Sequence, residues 1–87
     1  MAQVFIPAPL RAQCGGAHHL QLEGRTVREL VARLDEQFPG VAARLTADDR
    51  LLPGLAVSID GVVHSRGLSA PVEAESEVHF LPAIGGG

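Results

Sequence analysis

Thr26-Val27-Arg28-Glu29-Leu30-Val31-Ala32-Arg33-Leu34-Asp35-Glu36-Gln37-Phe38-Pro39-Gly40 is the stretch on which the fold turns. Thr26 stands where a helix N-cap belongs, and Glu29 follows three residues later. In that pattern a hydroxyl and a carboxylate each satisfy an amide left free at the start of a helix. Val27, Leu30, Val31, Leu34 and Phe38 then recur at helical spacing and define one apolar stripe. Pro39-Gly40 stops the helix. A single amphipathic helix cannot bury its stripe alone, so the flanking sequence must supply a second layer.

On the N-terminal side, Val4-Phe5-Ile6 reads as a strand with Leu10 beyond it, and Pro7 and Pro9 forbid regular pairing past its end. Gly15-Gly16 marks a turn, and His18-His19-Leu20-Gln21-Leu22 alternates with Leu20 and Leu22 on one face, which makes the pair a hairpin. On the C-terminal side a short apolar turn, Val41 to Leu45, precedes a polar stretch from Thr46 to Arg50. Leu55, Val57 and Ile59 alternate up to Asp60-Gly61, a strong two-residue hairpin signal, and Val62-Val63 return. Ser65 to Pro71 is a loop whose Leu68 plugs the core. A last strand, Glu77 to Leu81, puts Val78 and Phe80 on one face and His79 and Leu81 on the other. Pro82 ends it.

The order hairpin, helix, hairpin, strand is the α+β two-layer solution. It predicts a β-grasp, ubiquitin-like fold: a mixed sheet of four to five strands with one main helix across one face. Residues 1–81 form that domain and 82–87 a flexible C-terminal tail, Ala83-Ile84-Gly85-Gly86-Gly87 at its end.

Eighty-seven residues suffice for one domain and not two. With 46% hydrophobic residues but only three aromatics, all Phe, the core must be Leu, Val, Ile and Ala. A net charge of -3 and a pI near 5.7 argue against a nucleic-acid partner. All seven basic residues are Arg, so no side-chain amine can accept a conjugate. Cys14, the one cysteine, can form neither an internal disulfide nor a multi-Cys metal site, and reads as turn filler beside Gly15-Gly16. His18 and His19 point to opposite faces of a strand, and His64 and His79 add no ligand spacing, so no metal site is expected. There is no signal peptide or membrane-spanning run, which makes the cytoplasm the expected location, with no membrane partner. No nucleophile–base pair and no phosphate-cradling loop is present, so the chain is not expected to be an enzyme and binds no cofactor of its own.

The terminal glycines have no structural use, because Gly loses the most freedom on ordering. A side-chain-free thread can lie in a narrow crevice and carry its carboxylate to a nucleotide; five extended residues reach about 17 Å. A carboxylate becomes reactive only when activated, for example as an acyl-adenylate made from ATP. Sulfur delivered there would leave a thiocarboxylate.

Glu77-Val78-His79-Phe80-Leu81-Pro82-Ala83-Ile84-Gly85-Gly86-Gly87 resembles the terminal strand and tail of the ThiS/MoaD sulfur-carrier family. Val4 to Arg11 followed by Gly15-Gly16 resembles the first hairpin of these carriers, and the likeness is greatest to the CysO-type carrier of cysteine biosynthesis. The capped helix, the Asp60-Gly61 hairpin and the Leu68 loop fall in the same order, so the likeness spans the chain. Members commonly carry Ala, Ser or Thr where Gly85 stands; Gly-Gly-Gly is read as a substitution, and an added residue would instead require proteolytic maturation. Asn is frequent where Asp60 stands, and both residues tolerate the left-handed conformation.

The resemblance implies that Gly87 carries the acyl-adenylate and then the thiocarboxylate, and that Gly85 and Gly86 lie in the partner's cleft. Leu81 would present an apolar contact to partners, with His79 and Phe5 on the same side. The implied partners are an E1-like adenylyltransferase/sulfurtransferase that uses the ATP, a sulfur-acceptor synthase (on the cysteine route a PLP-dependent cysteine synthase), and a metallopeptidase that releases the product. Two related roles remain open: the small subunit of molybdopterin synthase and the sulfur donor for the thiamine thiazole. Outside sulfur transfer, the same tail could serve a ubiquitin-like protein modifier, or be inert in an interaction module.

Overall fold

The computed structural model describes residues 1–64 and 67–82. Helix α1 (Val27–Gln37) begins at the expected cap: the Glu29 amide donates to Thr26 Oγ1 at 3.2 Å. The Glu29 carboxylate reaches one residue further back than a reciprocal capping box requires, taking the Arg25 amide at 2.9 Å. Val27, Leu30, Val31 and Leu34 are buried, and Phe38, at the C-cap, is half-buried against the same core. Burying four such side chains contributes roughly 1.5–3 kcal/mol each. Past Pro39, Asp35 Oδ1 accepts the amides of Gly40 and Ala42 at 3.0 Å each, which starts the one-turn helix α2 (Ala42–Leu45).

Strands β1 (Ala2–Phe5) and β2 (His19–Leu22) pair antiparallel, with Ala2 opposite Leu22 and Phe5 opposite His19. The expected hairpin is present, but its connection is not a simple glycine turn. Two 3-10 turns, Ala8–Leu10 and Ala12–Cys14, pack Leu10 and Cys14 into the core, and Gly15 at φ 67° closes the second. The polar stretch after α2 is a two-stranded ribbon, β3 (Thr46–Ala47) and β4 (Arg50–Leu51), turned by Asp48 and Asp49 at φ 53° and 59°. No glycine announces that turn, so periodicity does not reveal it.

Strands β5 (Leu55–Ile59) and β6 (Val62–His64) form the predicted hairpin about Asp60 and Gly61, both at positive φ (51° and 85°). Leu68, in a 3-10 turn at Gly67–Ser69, is buried as expected. The segment before α1 is bridged to the segment before the last strand, Val27 N–H to Ala70 O at 3.1 Å and Val72 N–H to Arg25 O at 2.9 Å.

The last strand, β7 (Glu77–Pro82), runs one residue beyond the predicted end, with Pro82 opposite Leu55. β7 lies between β1 and β5, parallel to the first and antiparallel to the second, in the order β2-β1-β7-β5-β6. The result is the mixed five-stranded sheet of a β-grasp fold with α1 packed on one face. The core is aliphatic: Val4, Ile6, Leu30, Leu34, Leu45 and Val78 are among its most buried members.

Candidate functional site

Two arrangements bear on function: the sheet face that α1 does not cover, and the end of β7 from which the chain continues. Alternation along β7 sends Val78 and Phe80 (0% and 7% exposed) into the core and Glu77, His79 and Leu81 outward. The parallel register with β1 sets Phe5 beside His79. Their rings stack, centroids 4.1 Å apart and planes 7° from parallel, and the His19 ring lies 5.4 Å from Phe5 on the other side. The registers continue the row: His19, Phe5, His79, Ser58 and Val63 cross all five strands on this face. Leu81 stands opposite Ala56, two residues further along β7.

The structure therefore brings Phe5 and His79 into contact and puts Leu81 on their side of the sheet. All three are partly exposed. Among the strand residues directed outward here, Glu77 is the one with a formal charge, and its Oε1 lies 3.8 Å from His79 Nε2. A patch with an aromatic centre and few charges has the composition of an interface core. His19, Ser58 and Val63 are members that sequence reasoning missed, since their juxtaposition needs the register of strands far apart in the chain.

β7 is anchored at its start. Asp60 Oδ1 accepts the Glu77 amide and Oδ2 the Ser76 hydroxyl, each at 2.9 Å, while the Asp60 amide donates to Glu77 O at 2.9 Å. The Glu77 amide, and after it the Ser76 hydroxyl, hold the Asp60 carboxyl below its ordinary pKa. Ser76 is 1% exposed, and its oxygen also accepts the Glu73 amide at 2.9 Å. At the far end, where Leu55 meets Pro82, an open groove of about 590 Å³ is lined by Arg28, Arg50, Leu51, Leu55, His64 and Leu68. Arg28 is engaged there by Asp49 through two bonds of 3.0 and 3.1 Å.

Gly85, Gly86 and Gly87 lie outside the described residues. Cys14 is buried, and burial pushes its thiol pKa up; the neighbouring Arg11 spends its Nε on Ile6 O at 3.1 Å. Among the described residues no group of three or more His, Cys, Asp or Glu could hold a metal ion, and no helix is long and apolar enough to cross a membrane.

Residues 4–87 match the model of the ThiS family. The chain is 30% identical to the sulfur carrier protein CysO of Mycobacterium bovis and of Mycobacterium tuberculosis, over 97% of this chain and 96% of the relative. Among solved structures, the complex of BexX and CysO from Amycolatopsis orientalis contains a chain that superimposes with a TM-score of 0.89 at 30% identity, covering both chains completely. Mycobacterium tuberculosis CysO gives 0.86 at 24% identity, over 97% of this chain and 100% of that one. The small archaeal modifier protein 1 of Methanosarcina acetivorans gives 0.77 at 24% identity, over 99% and 95%. The last two likenesses speak for the fold.

Proposed function

The chain belongs to the ThiS family and is a sulfur carrier protein of the CysO type, and on that premise we propose that the α-carboxylate of Gly87 is its working group. The carboxylate attacks the α-phosphorus of ATP in the site of an E1-like enzyme, forming an acyl-adenylate and releasing pyrophosphate. A sulfide equivalent then adds at the acyl carbon, AMP leaves, and a thiocarboxylate remains. The thiocarboxylate is the nucleophile that passes sulfur to an acceptor synthase. Catalytic groups belong to the partners, and the ATP is theirs; this chain is their co-substrate.

The observation that carries this reading is the match to the family over residues 4–87, last residues included, together with the match to CysO over 97% of the chain. The cysteine route is favoured over the molybdopterin and thiazole routes because CysO is the sulfur carrier that it matches at 30% identity. On that route the acceptor is a PLP-dependent synthase, and a metallopeptidase frees the product, all in the cytoplasm. We further propose that Phe5, His79 and Leu81 form the docking contact, while residues beyond β7, Gly85 and Gly86 included, enter the partner's cleft. The stacked pair and the scarcity of charge around it support this assignment.

Incubation with an adenylating enzyme of this family, ATP and sulfide, followed by intact and peptide mass spectrometry, tests the proposal. The expected product has one oxygen replaced by sulfur in the last residue. A chain left unmodified overturns the carrier reading for Gly87, and a lysine-linked adduct on other proteins would point to a modifier instead.

A further inference from the structure

β6 is an edge strand of the sheet, and among the described residues no strand pairs with its outer side. Natural edges are blunted by charges, prolines or bulges, yet Val62, Val63 and His64 include none of these. Among the described residues the exposed large apolar side chains are Met1, Val62 and Val63, and the two valines are 59% and 62% exposed on adjacent positions. Neighbours in a strand face opposite sides of the sheet. A partner lying on the outer face would cover Val63 and leave Val62 wet, and one lying on the helix side would do the reverse. Only a strand added in the plane of the sheet covers both.

The hydrogen-bonding groups agree. Ile59 and Val62 flank a two-residue turn and so exchange bonds with each other. At the next pair, Ser58 and Val63, the N–H and C=O of Val63 point away from β5 to the open edge. One residue that offers a donor and an acceptor side by side is complementary to itself across a twofold axis.

We propose that β6 pairs antiparallel with β6 of a second copy about a twofold axis through Val63, joining two sheets into one of ten strands. The Val63 N–H donates to the C=O of the partner's Val63 and the reverse bond forms at the same time. Val62 then lies opposite the partner's His64, and no like charges meet across the seam. An edge this short buries far less than the roughly 1,200 Å² of a stable interface, so the dimer is weak and reversible, with a Kd on the order of 0.1–1 mM.

The geometry suits a carrier. β6 and β7 are both antiparallel to β5 and so run the same way. A twofold axis normal to the sheet keeps both outer faces on one side and points the two β7 strands toward opposite ends. Each copy can then be served without obstructing the other.

Sedimentation and amide NMR of the full chain from micromolar to millimolar concentration test this. The average mass should rise toward two chains, with concentration-dependent shifts centred on the Val63 amide. Val63→Lys, which places a charge on the seam, and Val63→Pro, which removes the outward N–H and no bond to β5, should each keep the chain monomeric; Val63→Thr, which keeps branching and both backbone groups, should still associate. The proposal is overturned by a single-chain mass throughout. Dimers that persist in both the Lys and the Pro variants, or shifts confined to β2 or the outer face, overturn it equally. So would β6 shifts that arise only when a docking enzyme is added, since the edge would then belong to a foreign strand.

Discussion

Asp60 holds Glu77 from both sides, its Oδ1 accepting the Glu77 amide and its own amide donating to the Glu77 carbonyl, each at 2.9 Å. A turn residue of the β5–β6 hairpin thereby fastens the first residue of β7, and with the Ser76 hydroxyl it draws on both carboxylate oxygens.

That clamp has a pH signature. The folded pKa of Asp60 lies below its unfolded value, so its contribution is complete above the unfolded carboxylate range and fades as pH falls through the folded pKa. Asp60→Asn tolerates the positive φ but replaces one acceptor oxygen with a donor. Urea titrations should find the variant less stable than the parent at neutral pH, with the gap closing below about pH 4. A gap that stays constant across that range would rule out the carboxylate as its source.

Leu34 is 1% exposed in the middle of the buried stripe. Leu34→Ala should cost about 2–5 kcal/mol, and Thr26→Ala, which loses the cap on the Glu29 amide, about 1 kcal/mol. Chemical denaturation followed by far-UV circular dichroism separates the two.

Gly24 is required by proximity. A Cβ built there would sit 3.0 Å from both Glu29 Cβ and Leu30 Cδ2 and 3.2 Å from the Leu30 amide nitrogen, which belongs to the helix backbone and cannot swing away. Gly24→Ala should destabilise by about 1–3 kcal/mol, read as a lowered thermal midpoint. Gly16→Ala meets no atom within 4 Å, so its penalty should come from the positive φ of 82° alone.

On the outer face, Phe5→Ala removes the ring that stacks on His79. If that face docks the adenylating enzyme, KM for the carrier should rise on the order of 30-fold, equivalent to about 2 kcal/mol, with kcat little changed. Leu81→Ala should act in the same direction. Unchanged kinetics in both variants would remove the face from the docking surface.

Deleting Gly86 and Gly87 should leave the amide spectrum of β1, β5 and β7 intact while abolishing thiocarboxylate formation. A shortened chain that still acquires sulfur would place the reactive group elsewhere.

Much of the fold was legible because its signals are local. Thr26 and Glu29 mark a helix start within four residues, Asp60-Gly61 marks a hairpin within two, and the Val78/Phe80 alternation assigns the inner face of the last strand. The Asp48-Asp49 ribbon was hidden because two aspartates at positive φ carry no glycine to announce them. The second duty of Asp60 was hidden because its partners, Ser76 and Glu77, lie sixteen and seventeen positions away. For the outer face, parity along β7 groups His79 with Leu81, but the stack on Phe5 follows only from a parallel pairing between the first and last strands. The terminal glycines, which have no use in a packed domain, pointed to the chain end as a threadable carboxylate, and the family likeness supplied the partners that would act on it.

β7 is flanked on both sides, by β1 and by β5, and Pro82 is still paired within it. Tension applied to the chain past Pro82 therefore acts along the strand and loads two ladders in shear. An edge strand pulled the same way would have a single ladder to carry the load. A pull on the chain end is thus resisted by the centre of the sheet, and the body stays folded under loads that would strip a strand held by one neighbour.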